Sequence, residues 1–205
     1  MINNIVEWIL ELGNWCARLI YLHLLWIVFT ILGLVVFGVM PATTAVFYVI
    51  RKWMEEDIEA PIFENFYKSY KDHFVKSNTL GLVLVGIGAF LYYDFSISKL
   101  EIGIPFLHFI IMVIGFFYFI MLLYFFPVFV RYEFRLFEYI KKSFQLAIGR
   151  PLETLAMIIS FVLLYYFFHI FPLFFFIAGV PLLAYPSMWF AHRAFSEIEG
   201  GARAR

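Results

Sequence analysis

The sequence is short of charge, short of cysteine, and balanced in sign. Only 15% of its 205 residues are Asp, Glu, Lys or Arg, against 64% apolar, where soluble domains hold about 25% and 45–50%. A single core in a chain of this size leaves much of its surface exposed, so the apolar excess needs lipid as its solvent. Fifteen basic and fifteen acidic residues cancel, which removes the electrostatic footprint of a nucleic-acid binder. With Cys16 as the one cysteine, neither an intrachain disulfide nor a cysteine-rich metal site can form, and it reads as a small apolar filler. Glu7 and Glu11 but no Lys or Arg stand in the first 14 residues, so the basic start of a cleavable signal peptide is missing. No phosphate-cradling glycine loop or nucleophile motif is present. His23, His73, His108, His169 and His192 are scattered rather than set at metal-ligand spacing; His23 and His108, inside apolar runs, read as neutral groups hydrogen-bonded between helices. The expectation is a non-enzyme without cofactor or metal.

What is abundant is long uncharged stretches and Phe, 28 residues of it. Uncharged runs extend over Leu19–Ile50, Ser77–Tyr93, Ile102–Val130 and Thr154–Ala191. About 20 helical residues cross a ~30 Å hydrocarbon core, so the first three runs provide one crossing each. The last is about 57 Å long as a helix and reads as a hairpin turning near His169–Pro172, with a re-entrant pair encouraged by Pro172, Pro181 and Pro186 as the alternative. Lys and Arg gather in cytoplasmic loops. Here they gather at 51–77, at 131–153 and in the tail, with only Arg18 and Lys99 elsewhere. Placing those three regions on one side gives an all-α, polytopic bundle of about five spans, roughly 19–40, 78–94, 103–128, 154–170 and 173–191. The single transmembrane domain 1–205 sits in the cell membrane, its N-terminus outside and its C-terminus cytoplasmic.

Four segments are not simple spans. Residues 2–14 carry a polar stripe through Asn4, Glu7, Glu11 and Asn14, continuing to Arg18, opposite Ile2, Ile5, Ile9, Leu10 and Leu12. This suits an interfacial helix, or a stripe facing a partner or cavity. Gly38, Pro41, Thr43 and Thr44 mark a helix break, because Pro41 lacks an amide hydrogen and crowds the preceding turn. Beyond it, 42–54 is expected along the interface, or the break lines a substrate path. In 62–76 the apolar stripe is Phe63, Phe66, Tyr67, Tyr70 and Phe74, flanked by Lys68; in 131–149 it is Phe137, Ile140, Phe144 and Ile148, flanked by Lys142. Offset by 74 residues, FENFYKSY at 63–70 meets FEYIKKSF at 137–144 with four identities, suggesting a duplicated unit of amphipathic helix plus hairpin. The stripe residues are candidate contacts for a partner or for the membrane surface.

These segments resemble a known family. The Leu25-Trp26 span followed by GVMPATTA at 38–45, with FENFYKSYKDHF at 63–74 and FEYIKKSF at 137–144, is similar to the signature of the YesL-like bacterial membrane proteins. The resemblance runs from about Trp15 to Glu199. It carries over no catalytic residue. Genes of that family often accompany those of carbohydrate ABC importers and sensor kinases. The resemblance therefore implies an accessory or regulatory role beside ABC transporter subunits or a sensor kinase. Two other readings stand: a small transporter or channel with its path between the two hairpin units, near Pro41, Thr43 and Thr44, and a homo-oligomeric scaffold or lipid-binding protein.

Overall fold

The computed structural model describes residues 2–56, 58–97 and 105–203, with side chains described for 7–56, 58–97 and 106–197. Lys99, Arg205, the start of the third expected span at 103, and the side chains of Ile2, Asn4 and Ile5 lie outside those residues. Seven helices follow in order: α1 (Ile2–Leu32), α2 (Val36–Glu55), α3 (Ile62–Ile97), α4 (Pro105–Arg131), α5 (Leu136–Gly149), α6 (Pro151–Ile170) and α7 (Pro172–Arg203). Five of them, α1, α3, α4, α6 and α7, are long and apolar enough to cross a membrane. The protein is an all-helical, multi-pass membrane protein.

The interfacial segments fall differently from the sequence expectation. Residues 2–14 and 62–76 are not separate helices but the first turns of α1 and α3, since nothing in either sequence stops the backbone ladder. Segment 42–54 is inside α2, whose Ala42, Ala45, Val46 and Ile50 are fully buried, rather than along an interface. Small residues on that face let neighbouring helices close on it. Only 131–149 separates: α4 ends at Arg131 and α5 begins at Leu136, where the Glu138 carboxylate accepts the Arg135 amide at 3.0 Å. The α6–α7 hairpin turns at Phe171, with Phe167 on Phe174 and Phe168 on Phe175.

The break in the first run lies at 33–35, ahead of Pro41. Leu34 (φ 57°) and Val35 (φ 63°) hold positive φ. The Leu34 amide donates to Ile31 and the Val35 amide to Thr30, which closes a Schellman motif on Leu34 in the left-handed position usually taken by glycine. The Val36 amide then donates to Leu34 at 2.7 Å, a strained γ-turn around Val35. The chain doubles back, so α1 and α2 are antiparallel. The Trp26 indole N–H donates to Thr43 Oγ1 at 3.0 Å, and Arg18 donates to the Ile58 carbonyl. Gly33 and Gly38 make the turn this tight. A Cβ on Gly33 would stand 2.4 Å from Gly38 Cα, and one on Gly38 2.3 Å from the Thr30 carbonyl oxygen.

Pro41 sits inside α2 without breaking it. Its missing N–H would have bonded the Phe37 carbonyl, and the Asn78 side-chain amide takes that place at 2.9 Å from α3. Thr44 bonds back to the Met40 carbonyl, so neither threonine repairs the proline's vacancy.

Two outcomes follow for detergent-solubilised protein. Asn78→Leu leaves the Phe37 carbonyl unpaired and should cost about 1–3 kcal/mol. In a Pro41→Ala background, where residue 41 can bond Phe37 itself, the cost should largely vanish. Equal losses of melting temperature in both backgrounds would show that Asn78 does not serve Pro41. Separately, Gly38→Ala should lower the melting temperature by overpacking worth about 1–3 kcal/mol, whereas Leu34→Gly, which relieves about 1–2 kcal/mol of left-handed backbone cost, should be neutral or stabilising.

Candidate functional surfaces

The two aromatic stripes, alike in sequence, face different surroundings. The first packs on Phe29 of α1, with Phe66 and Tyr70 turned inward and Phe63 and Tyr67 about half exposed. Phe66 is fully buried, and the rings of Phe63, Phe66, Tyr67 and Tyr70 lie 4.9 to 6.5 Å from that of Phe29. The Tyr70 hydroxyl donates to the Phe29 carbonyl at 3.1 Å, and Phe74 packs on Tyr70 at 5.6 Å. Phe66 and Tyr70, expected as outward contacts, therefore clamp the α1–α2 turn. Lys68 borders a polar cavity instead.

The second stripe stays outside. α5 buries Tyr139, Ser143, Leu146 and Ala147, the neighbouring face, and leaves Phe137 79% and Phe144 40% exposed. Ser69 and Ser143, equivalent at the 74-residue offset, are both buried, but Tyr139 takes the place of Asn65 as an anchor. Phe137, Ile140 and Phe144 form one wall of an apolar groove of about 880 Å³. Its other walls are Ile87 and Phe90 of α3 and Phe117 and Met121 of α4, with Lys141 as its cation. Gly86 lines the groove and has open space around its missing Cβ. Lys142 points to a separate small cleft beside Phe134 and Phe195.

Polar interactions collect at one end of the bundle. Glu55 of α2 receives Arg131 of α4 at 2.6 Å, with Arg51 at 3.6 Å and His192 of α7 at 3.7 Å. Arg51 also donates to the Val130 carbonyl, and Arg150 pairs with Glu197 to join α6 to α7. The Tyr139 hydroxyl makes three hydrogen bonds here. It accepts from Lys76 Nζ at 2.8 Å and from the Phe134 amide at 3.0 Å, and donates to the Tyr132 carbonyl at 3.0 Å. Between α2, α3, α4 and α5 lies the polar cavity, about 540 Å³, lined by Arg51, Lys68, Asp72, His73 and Lys76.

At the predicted break, Pro41 and Thr44 are buried and Thr43 is bonded to Trp26. His23 stacks on Trp26 at 5.7 Å and His108 on Phe95 at 4.5 Å. Their Nδ1 atoms have no hydrogen-bond partner among the described residues, but His23 also bonds the Phe176 backbone of α7, an interhelical bond of the kind expected, while His108 is held by its ring contact. No group of three or more metal-ligating side chains occurs among the described residues.

Residues 19–95, which span the α1–α2 turn, Pro41 and Asn78, match a family model described as Protein of unknown function, DUF624. The chain is 37% identical over 195 residues to YteU of Bacillus subtilis (strain 168), covering 93% of this chain and 86% of that protein. It belongs to the YesL-like family. Two further relatives from the same organism are YesL, 37% identical over 157 residues (77% of this chain and 75% of YesL), and YesV, 34% identical over 188 residues (89% of each). No solved structure matches. Within this YesL-like fold, the signal that separates the two stripes was present in the sequence as Tyr139, a hydroxyl-bearing ring one position off the α5 stripe.

Tyr139→Phe should strip the acceptor from both Lys76 and the Phe134 amide and lower stability by about 1–3 kcal/mol. Tyr67→Phe, at an exposed ring, should be neutral. Thermal melts of both variants decide, and equal melting temperatures would remove Tyr139 as the anchor of α5.

Proposed function

We propose that this chain is a non-enzymatic accessory or regulatory subunit of a membrane assembly, and that it docks a partner's transmembrane helix in the α5 groove. The observation that carries this reading is the α5 stripe: Phe137 is the most exposed ring of either stripe and lines the groove with Ile140 and Phe144, whereas Phe66 and Tyr70 of the matching α3 stripe are packed on Phe29. The groove is apolar along its length, and aromatic anchors over a groove suit helix-in-groove recognition. At Gly86 a partner backbone can approach closely, as small residues allow between membrane helices. Lys141 at the margin suits an acidic group on the partner near the membrane surface. The family resemblance favours a carbohydrate importer of the ABC class, or its sensor, as that partner. Concentration of Lys and Arg at the α2–α3, α4–α5 and C-terminal ends supports a cytoplasmic placement for that end of the bundle. The transporter reading is less favoured, because Pro41 and Thr44 are packed within α2.

A photo-crosslinking residue at 137 or 144 in native membranes should capture one stoichiometric membrane protein. Phe137→Glu, at a side chain too exposed to threaten folding, should reduce its co-recovery at least ~10-fold, about 1.4 kcal/mol. Crosslinks to lipid alone, with the protein recovered unaccompanied, would overturn docking.

A further inference from the structure

We propose that the polar cavity between α2, α3, α4 and α5 binds a phosphate group, carried either by an anionic lipid headgroup or by a soluble phosphate. The cavity shares no lining residue with the α5 groove, so it stands whether or not a partner helix docks there.

The face of α3 opposite its aromatic stripe supplies most of the polar lining. Lys68, Ser69, Asp72, His73 and Lys76 recur at the spacing of one helical face. Arg51 enters from α2, where its guanidinium lies 5.0 Å from the Tyr48 ring centre and donates to the Val130 carbonyl. That bond fixes the orientation of the planar fork. Arg131 and the exposed Glu133 close the α4 side.

These charges do not balance among themselves. Glu55, outside the lining, takes Arg131 at 2.6 Å and stands 3.6 Å from Arg51. Counting Glu55 with Asp72 and Glu133, three carboxylates meet the four cations Arg51, Lys68, Lys76 and Arg131. With His73 neutral, one positive charge is left over, which a single phosphodiester cancels.

The shortfall is sharpest at Lys76. Its ammonium is half-buried, bonded to the Tyr139 hydroxyl at 2.8 Å and set over the Tyr139 ring at 4.8 Å. No carboxylate pairs with it among the described residues, not even Asp72 one turn earlier on α3. A cation drawn partly out of water without a counter-charge is costly, and an anion in the cavity removes that cost.

The arrangement suits phosphate better than carboxylate. Arg51 approaches from one helix and Lys68 and Lys76 from another, and a tetrahedral phosphate offers oxygens to several cations at once. Basic pockets between membrane helices near the charged surface are where headgroup phosphates are held. Tyr48 and Tyr132 in the lining are rings of the kind found at that level.

The full chain in a maltoside detergent, at fixed ionic strength, provides the test. It is titrated separately with inorganic phosphate, dihexanoyl phosphatidylglycerol and dihexanoyl phosphatidylcholine, and binding is read as a saturable rise in melting temperature. Saturation by inorganic phosphate would show that a soluble phosphate suffices. Saturation by phosphatidylglycerol without a phosphate response would identify the lipid headgroup, and either result supports the site. Lys68→Gln, at an exposed side chain, should weaken the apparent Kd about 10-fold. Lys71→Gln, on the same helix but outside the lining, should change it no more than ~2-fold if diffuse surface charge is not responsible. Lys76→Gln repeats the loss from the half-buried side of the cavity. No saturable response to phosphate or phosphatidylglycerol would overturn the proposal. So would an equal response to phosphatidylcholine, or equal losses from Lys68→Gln and Lys71→Gln.

Discussion

A carbonyl that loses its helical partner inside a bilayer must find another, and the pairing of Phe37 with Asn78 is where this fold meets that demand. Pro41 removes one rung of the α2 ladder, and the Asn78 side chain supplies the missing donor. The donor comes from α3, so the defect in one helix becomes a bond between two. Asn78 also bonds its own Phe74 carbonyl, which fixes the amide on the face of α3 that meets α2. Once α2 is registered against α3, Tyr70 reaches the Phe29 carbonyl and the aromatic clamp closes on the turn. At the other end of α2, Glu55 comes within reach of Arg131 and His192. A proline that could have split the helix instead sets its register.

Hydropathy made the long apolar helices legible, because lipid tolerates few charges and the runs are nearly free of them. The turn at 33–35 was not legible. Leucine and valine disfavour positive φ, so neither residue announces a reversal, while Pro41 nearby announces a break that the helix absorbs. Local propensity lost to tertiary context: the close approach of Gly33 to Gly38 and the closed ring of amides outweigh about 1–3 kcal/mol of backbone strain at each such residue. The two glycines were the usable signal, five residues apart on either side of the reversal.

Amphipathic periodicity identified both aromatic stripes but could not say what each faces. In a soluble protein an apolar stripe points to the core, since the alternative is water. In a membrane protein, the alternative is lipid or a partner helix, and the driving force that would separate those choices is weak. Phe66 goes inward because Phe29 offers its ring and backbone; Phe144 remains outside because Tyr139, on the adjacent face, has three hydrogen bonds to make. Polar groups, few as they are, therefore decide which apolar face is buried.

That asymmetry bears on function. The charged end is cross-braced by Glu55, Arg131, His192 and Tyr139, which tie α2, α3, α4, α5 and α7 to one another. Toward the far end, the described contacts between α3 and α4 and between α6 and α7 are mainly ring packing, with the Tyr118 hydroxyl bond to the Leu84 carbonyl as an exception. A bundle rigid at one end and greased at the other resists rearrangement where α5 is anchored. A helix lying in the α5 groove would contact the braced end through Phe137 and Ile140 and the softer region through Phe90 and Ile87. Such a helix would bridge the two ends of the bundle, touching the braced end and the ring-packed one along a single groove.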